Sequence, residues 1–141
     1  MHRRAGTLLL TLVALSAFGA EYDRASALDI SQGAIGRQLE NYMLRDTAGQ
    51  PFAISELRGK PLVISMIYTS CHHICPTITR NLRDKIEVAQ EALGEDAFNV
   101  VTVGFDWRVD TPDRMREFES RLGLDHVPNW HFLATEAGVV D

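Results

Sequence analysis

The sequence predicts an α/β fold built on a parallel sheet, and three stretches carry that prediction. Residues 62–68 and 98–105 are nearly continuous apolar runs, which is typical of strands covered on both faces. Between them, residues 76–93 place apolar side chains at the three-to-four spacing of a helix. Strand, helix and strand in this order predict a βαβ unit with the usual right-handed crossover.

The composition fits this class of fold and argues against one class of partner. The chain has 141 residues, which is typical of one domain, and its 45% hydrophobic and 23% charged residues are ordinary for a globular protein. The formal net charge is −5, and no basic stripe follows the chain. Nucleic acid is therefore not expected as a partner.

The first 20 residues differ in kind from the rest. Arg3 and Arg4 precede an apolar run, residues 7–18, which is followed by small residues and then by the polar Glu21. This is the layout of a secretory signal peptide, and the run is shorter than the roughly 20 residues of a membrane-spanning helix. We therefore expect residues 1–20 to be a signal peptide or a short membrane anchor. The protein should be exported, either periplasmic or held at the outer face of the inner membrane.

A tether and a hairpin are predicted next. Residues 21–35 are polar and rich in small side chains, which is typical of a tether. Residues 42–45 and 51–54 are predicted to be two strands of a hairpin. The turn between them, residues 46–50, contains Gly49, which can adopt a positive φ.

The remaining elements follow from capping and termination signals. Ser55 is expected to cap a single helical turn at residues 56–58. Further along, Thr111 is a good N-cap and Pro112 a good first residue for a second helix. Residues 130–133 predict a last strand. We expect a domain at residues 36–141 that is incomplete at its C-terminus and leaves one edge and one face of its sheet exposed.

The only two cysteines, Cys71 and Cys75, lie between the first long strand and the first long helix. Residues i and i+4 share a helix face, and the positive end of a helix favours the thiolate form. Two thiolates suit a soft ion such as Cu(I). Structural zinc would need four ligands, and only these cysteines and one of His72 or His73 are close in sequence.

Two other chemistries remain open for this pair of cysteines. It could be a redox dithiol that exchanges disulfides with a client, although it has three intervening residues where the common redox motif has two. In an oxidising compartment it could instead be an inert disulfide. Closing so small a loop removes little chain entropy, so such a bond would stabilise the fold only modestly.

Other polar and aromatic residues have simpler structural interpretations. His126 is predicted in a loop, and His131 is predicted to be structural because it alternates with apolar neighbours on the last strand. Asp106 and Asp110 could form a carboxylate pair, but capping and turn formation explain them more simply. The two tryptophans are predicted as core or rim aromatics: Trp107 and Trp130.

Several stretches resemble one known family. Residues 68–77, Tyr-Thr-Ser-Cys-His-His-Ile-Cys-Pro-Thr, resemble the Y-T-x-C-x-x-x-C-P-T signature of the SCO/SenC family. Residues 44–49 and 57–61 are similar to its lead-in. Residues 106–112 are similar to its D-P-x-R-D-T-P loop, and residues 130–133 to its W-x-x-L strand. The loop departs from the family pattern, because Trp107 stands where proline is usual and Val109 where arginine is usual.

The resemblance implies a thioredoxin-like fold and a role with copper. Cys71 and Cys75 would be the thiolate ligands, for Cu(I) rather than Cu(II). The family's third ligand is a histidine well downstream, beyond Asp141 in this numbering. A metallochaperone, more than an enzyme, is implied, acting in assembly of the copper centre of cytochrome c oxidase. Its partner would be the copper-bearing subunit or another thiol client.

Two alternatives stand beside this function. The first is a thiol–disulfide oxidoreductase that reduces client cysteines through the same redox dithiol, Cys71 and Cys75, and has no metal role. The second is a redox sensor or interaction module whose disulfide reports the state of its compartment.

Overall fold

The structure, a computed structural model, describes residues 23–139, and these divide into two units after Leu39. The first unit contains helix α1 (Arg24–Gln32), where the sequence analysis assigned no helix. Asp23 caps it, since its carboxylate accepts the N–H of Ala25 at 3.0 Å, and none of its residues is buried. The assignment of residues 21–35 as a tether stays a prediction. The segment of residues 1–20 lies outside the described residues.

The second unit is built on a five-stranded mixed sheet in the order β2-β1-β5-β4-β3. Its strands are β1 (Met43–Arg45), β2 (Pro51–Ala53), β3 (Leu62–Ile67), β4 (Asn99–Gly104) and β5 (Trp130–Ala134). Helix α2 (Ile74–Leu93) follows β3, and helix α3 (Pro112–Arg121) follows β4. β3 pairs with β4, and β4 with β5, in parallel. The predicted α/β class and its βαβ unit are therefore confirmed.

The N-terminal hairpin belongs to the same sheet. Its turn is held by Asp46, whose carboxylate accepts the N–H groups of Ala48 and Gln50 at 2.9 and 2.8 Å. Gly49 has a φ of 79°, as predicted. β1 pairs antiparallel with β5 where Arg45 lies opposite Ala134, so the hairpin extends the sheet as well as preceding it in the chain.

The short helical turn after the hairpin begins earlier than predicted. It is a 3₁₀ helix, Ile54–Leu57, and Ser55 lies inside it rather than at its cap. The carboxylate of Glu56 reaches back and accepts the N–H of Ala53 at 2.8 Å. The prediction that Ser55 caps this turn was wrong, because the helix starts at Ile54 and its N-cap position falls on Ala53.

The sheet separates two hydrophobic clusters. The cluster under α2 and α3 includes Ile86, Met115, Phe118 and Phe132. The cluster on the opposite face is centred on Leu44, Ile54, Leu57, Val101, Val103 and Leu133. The predicted apolar face of helix α2 is buried only in part, since Ile78 and Leu93 are 53% and 70% exposed. The helix instead packs through Cys75, Leu82, Ile86 and Ala89.

Strand β3 lies at one edge of the sheet as far as the described residues show, because it pairs with β4 alone. Ile64 and Met66 on this strand are 46% and 54% exposed. The expected exposed edge and partly exposed face are thus both present, whereas the prediction that residues 62–68 form a strand covered on both faces was wrong for Ile64 and Met66. Among residues 23–139, no helix combines the length and apolar character needed to cross a membrane.

Candidate functional site

The two cysteines meet at the start of α2, as the sequence predicts. Cys71 lies in the loop after β3, and Cys75 is the second residue of the helix. The N–H of Cys75 donates to the sulfur of Cys71 at 3.4 Å. The first N–H groups of a helix have no partner within it, and the N-cap residue His73 makes no side-chain cap bond here. The Cys71 sulfur thus occupies the place of a helix cap.

This position favours the thiolate form of Cys71. The hydrogen bond from the N–H of Cys75 lowers the pKa of the Cys71 thiol from its ordinary value, and the Cys75 side chain and the N–H groups of Ile74 and His73 act in the same direction. The side chain is partly exposed. Cys71 is therefore an accessible sulfur whose negative form is stabilised by backbone donors.

Cys75 lies in a different environment, only one helical turn away. Its side chain packs against the hydrophobic cluster under α2 and is only partly exposed. This burial raises the pKa of the Cys75 thiol, and the nearby charges of Cys71 and Asp110 raise it further. The pair therefore combines one thiol whose pKa is lowered with one whose pKa is raised.

Asp110 serves a turn with Asp106, as the sequence analysis proposed, but it also contacts the cysteine loop, a role that the sequence analysis did not assign. Its side chain is completely buried. One carboxylate oxygen accepts the backbone N–H and the hydroxyl of Thr69, at 2.8 and 2.6 Å, and the other accepts the N–H of Asp106 at 2.9 Å. Asp106 itself does serve a turn, because its side chain accepts the N–H of Arg108 at 3.0 Å. A buried carboxylate linking two loops leaves no periodic signal that sequence inspection could find.

Aromatic side chains border the same end of the sheet. The rings of Tyr68 and Phe105, which follow β3 and β4, stack with centroids 6.0 Å apart. The guanidinium of Arg108 lies 4.4 Å from the centre of the Trp107 ring. Trp107 is 38% exposed, so it is a rim aromatic as predicted. Trp130 lies in the core, which is the other predicted alternative.

The histidines do not complete a metal site within residues 23–139, where no group of three or more His, Cys, Asp or Glu side chains could hold an ion. His72 and His73 are exposed beside the cysteines, and His126 is an exposed loop residue, as predicted. His131 is partly buried, with its ring centre 5.1 Å from that of Phe52, in agreement with a structural role. Two sulfurs fit low-coordinate Cu(I) and do not fit four-coordinate structural zinc.

Comparison with known proteins identifies the family. The family model for SCO1/SenC matches residues 32–127, which is more than half of the chain and includes both cysteines. The chain belongs to the SCO1/SenC family. The resemblance noted in the cysteine signature is thus confirmed, and the mixed sheet flanked by helices is the thioredoxin-like fold of this family.

The matches to individual SCO relatives include only part of each relative's length. The SCO1 protein homolog of Bacillus subtilis is 26% identical over 98 residues, which are 68% of this chain and 48% of that protein. The chain thus spans about half the length of this curated relative. Bradyrhizobium japonicum ScoI, solved with copper bound, is 28% identical with a TM-score of 0.57, over 72% of this chain and 60% of its own.

A further solved structure shows the likeness of fold alone. BsSco, described as a member of the Sco family of cytochrome c oxidase assembly proteins, is 21% identical with a TM-score of 0.62. The match covers 73% of this chain and 58% of BsSco.

Proposed function

We propose that this chain binds Cu(I) as cargo through Cys71 and Cys75 and acts as a metallochaperone in assembly of the cytochrome c oxidase copper centre. The observation that carries the proposal is the hydrogen bond from the N–H of Cys75 to the Cys71 sulfur, at 3.4 Å. This bond supports an arrangement in which the two cysteines lie side by side, and Cys71 is partly exposed. Family membership and the copper-bound ScoI relative support copper as the ion.

The chemistry of the sulfur pair supports Cu(I) over other ions. Thiolates are soft ligands that select Cu(I), and metal binding releases the thiol protons, so a sulfur whose pKa is already lowered binds at less cost. Cys71 would bind first, and Cys75 would lose its proton on contact with the ion. A third ligand, which the family resemblance implies to be a histidine beyond Asp141, would strengthen this binding.

Titration of the reduced chain with Cu(I) against a competing chelator tests the proposal. We expect one ion per chain, and we expect loss of that binding in the Cys71→Ser, Cys75→Ser double variant. The matched control is the His72→Ala, His73→Ala double variant, which changes the two exposed neighbours and should keep the stoichiometry. Absence of stoichiometric binding, or binding that persists without the two sulfurs, would remove the chaperone proposal.

A thiol–disulfide oxidoreductase is the second candidate, and the difference between the two thiols favours it. The Cys71 thiolate would attack a client disulfide, forming a mixed disulfide and releasing one client thiolate. The Cys75 thiolate would then attack the Cys71 sulfur, so that the client leaves reduced and this chain holds the disulfide. A lowered pKa for the attacking thiol and a raised one for the resolving thiol suit these two steps.

The reduction potential of the Cys71–Cys75 pair tests this second candidate. A catalytic pair should have a potential above about −300 mV, whereas an inert structural disulfide lies below that value. A potential below that value would favour an inert structural disulfide. A high potential together with no copper binding would favour thiol exchange as the main activity.

We further infer export, with residues 1–20 as a signal peptide or short anchor and residues 36–141 as the copper-binding domain. The positive, apolar and small-residue pattern of the first 20 residues supports this. Mass spectrometry of the mature N-terminus distinguishes the two forms. An intact Met1 on exported protein would indicate an anchor, and a new N-terminus near residue 20 would indicate cleavage.

A further inference from the structure

Asp110 connects the cysteine loop to the loop that follows β4. Thr69, its main partner, is two residues before Cys71 and two residues after the end of β3. Its backbone N–H and its hydroxyl both donate to the same carboxylate oxygen, and the other oxygen holds Asp106. The bonds join chain segments 41 residues apart. Asp110 thus fixes Thr69 within the irregular segment between β3 and α2.

The last residue of β4 gives Asp110 the room to do this. A Cβ atom on Gly104 would lie 2.6 Å from the Cβ of Asp110 and 2.6 Å from the sulfur of Met115. The φ of Gly104 lies outside the left-handed region, so its backbone conformation is open to other residues. Glycine is needed here for space alone. The buried carboxylate of Asp110 can therefore lie beside Thr69 because residue 104, at the end of β4, has no side chain.

We propose that Asp110 is a positioning residue for the dithiol, holding Thr69, and through it the Cys71 loop, so that the two sulfurs are presented together. The inference rests on the proposed function only in taking the Cys71–Cys75 pair as the reactive site. Cys71 itself donates its backbone N–H to the carbonyl of Tyr68 at 3.0 Å, so its position depends on the chain segment that Thr69 anchors.

A carboxylate suits this role better than an amide. Asp110 receives three donors, two on one oxygen and one on the other, and it needs to donate none. In an Asp110→Asn variant, an amide nitrogen would face either the N–H of Asp106 or the two donors of Thr69. One of the two links would be lost, and hydrogen bonds to a charged acceptor are the stronger kind.

Binding of phenylarsine oxide to the reduced chain measures this positioning without copper. The arsenic forms two As–S bonds to Cys71 and Cys75, loses its oxygen as water with the two thiol protons, and no electrons are transferred. Because it needs both sulfurs at once, its affinity depends on how they are held. We expect Thr69→Val and Asp110→Asn to weaken the affinity for phenylarsine oxide by about tenfold or more. Thr69→Ser keeps the hydroxyl and should keep the wild-type affinity.

Thr102→Val is the matched control. This variant also removes a buried hydrogen bond, between the indole N–H of Trp130 and Thr102 at 2.9 Å, but Thr102 lies within β4 and in neither of the loops that Asp110 links. A role confined to global stability would make it resemble Thr69→Val in arsenical binding. A positioning role predicts that it keeps the wild-type affinity, with chain unfolding followed in parallel by urea titration.

The outcomes separate this inference from the proposed function. Wild-type affinity in both Thr69→Val and Asp110→Asn, or an equal loss in Thr102→Val, would overturn the positioning role. If Asp110→Asn does not fold, the Thr69→Val and Thr69→Ser pair still decides. Failure of the wild-type chain to bind Cu(I), with the arsenical series as expected, would overturn the copper proposal and leave the positioning role standing.

Discussion

At the residue scale, the two sulfurs differ because one faces backbone donors and the other faces the core. Cys71 takes the place of a helix cap and receives the N–H of Cys75. Cys75 contacts the apolar cluster under α2 and feels the charge of Asp110. The same residue type at positions four apart therefore has opposite shifts in pKa. Any reaction that needs one thiolate should begin at Cys71.

Alkylation of the reduced chain with iodoacetamide should modify Cys71 before Cys75. Backbone donors lower the pKa of Cys71, and burial raises that of Cys75. As the pH is increased, the alkylation rate of Cys71 should therefore begin to rise at a lower pH than that of Cys75. Peptide mass spectrometry from about pH 6 to about pH 9 brackets the ordinary thiol value. In the Cys75→Ser control the backbone N–H remains, so Cys71 should keep its early reaction. Equal rates at both positions would contradict the assignment.

At the scale of elements, buried polar and small residues decide how the strands meet. The strands themselves follow from apolar runs, but contacts between them depend on single atoms. Trp130 on β5 donates its indole N–H to the hydroxyl of Thr102 on β4, and both side chains are buried. Gly104 at the end of β4 admits Asp110. Two substitutions test these contacts.

Thr102→Val should lower the free energy of unfolding by about 1–3 kcal/mol, because the buried Trp130 N–H would lose its acceptor while the volume stays nearly the same. Urea titration measures the change. Thr102→Ser keeps the hydroxyl and should recover the hydrogen-bond part of the loss. An unchanged urea midpoint for Thr102→Val would show that the indole finds another acceptor.

Gly104→Ala should destabilise the domain although its backbone could accept alanine. Replacing glycine at a compatible position stabilises by about 0.4–1 kcal/mol, whereas overpacking a filled core costs about 1–3 kcal/mol. The added Cβ would lie 2.6 Å from both Asp110 and Met115, so the clash should outweigh the entropy gain. The net loss should be seen in urea titration, and greater stability of the variant would contradict it.

At the scale of the whole molecule, partly buried ionisable groups link stability to pH. Burial lowers the pKa of His131 below its ordinary value of 6.5, against a smaller opposite effect from Glu56. The unfolded chain then binds a proton more readily than the folded one. Stability from this residue is present above the ordinary value and is lost as the pH falls through it toward the lower folded value.

His131→Gln should therefore flatten the loss of stability on acidification. Urea midpoints of wild type and variant, compared at about pH 7.5 and about pH 5.5, lie on either side of the ordinary histidine pKa. His126→Gln is the matched control for the loss of a histidine, since the His126 side chain is 90% exposed. If His131→Gln and wild type lose the same stability between these pH values, the assignment to His131 is wrong.

Local signals in the sequence determined the elements and the pair of sulfurs. Apolar periodicity indicated β3, α2 and β4, while Thr111 and Pro112 marked the start of α3, where the Thr111 hydroxyl accepts the N–H of Arg114. The cysteine signature indicated the family. Each of these features depends on residues that are close in the chain, so each can be recognised from a short stretch of sequence.

The tertiary structure alone decided which groups act on those sulfurs. Asp110 reaches Thr69 across 41 residues, and Gly104 makes room for it through an absent side chain. The buried face of α2 also differs from the predicted one, since Ile78 is exposed. The position of the sheet, and not the helix alone, sets which side is covered. Such contacts join distant positions one atom at a time, and they leave no periodic pattern in the chain.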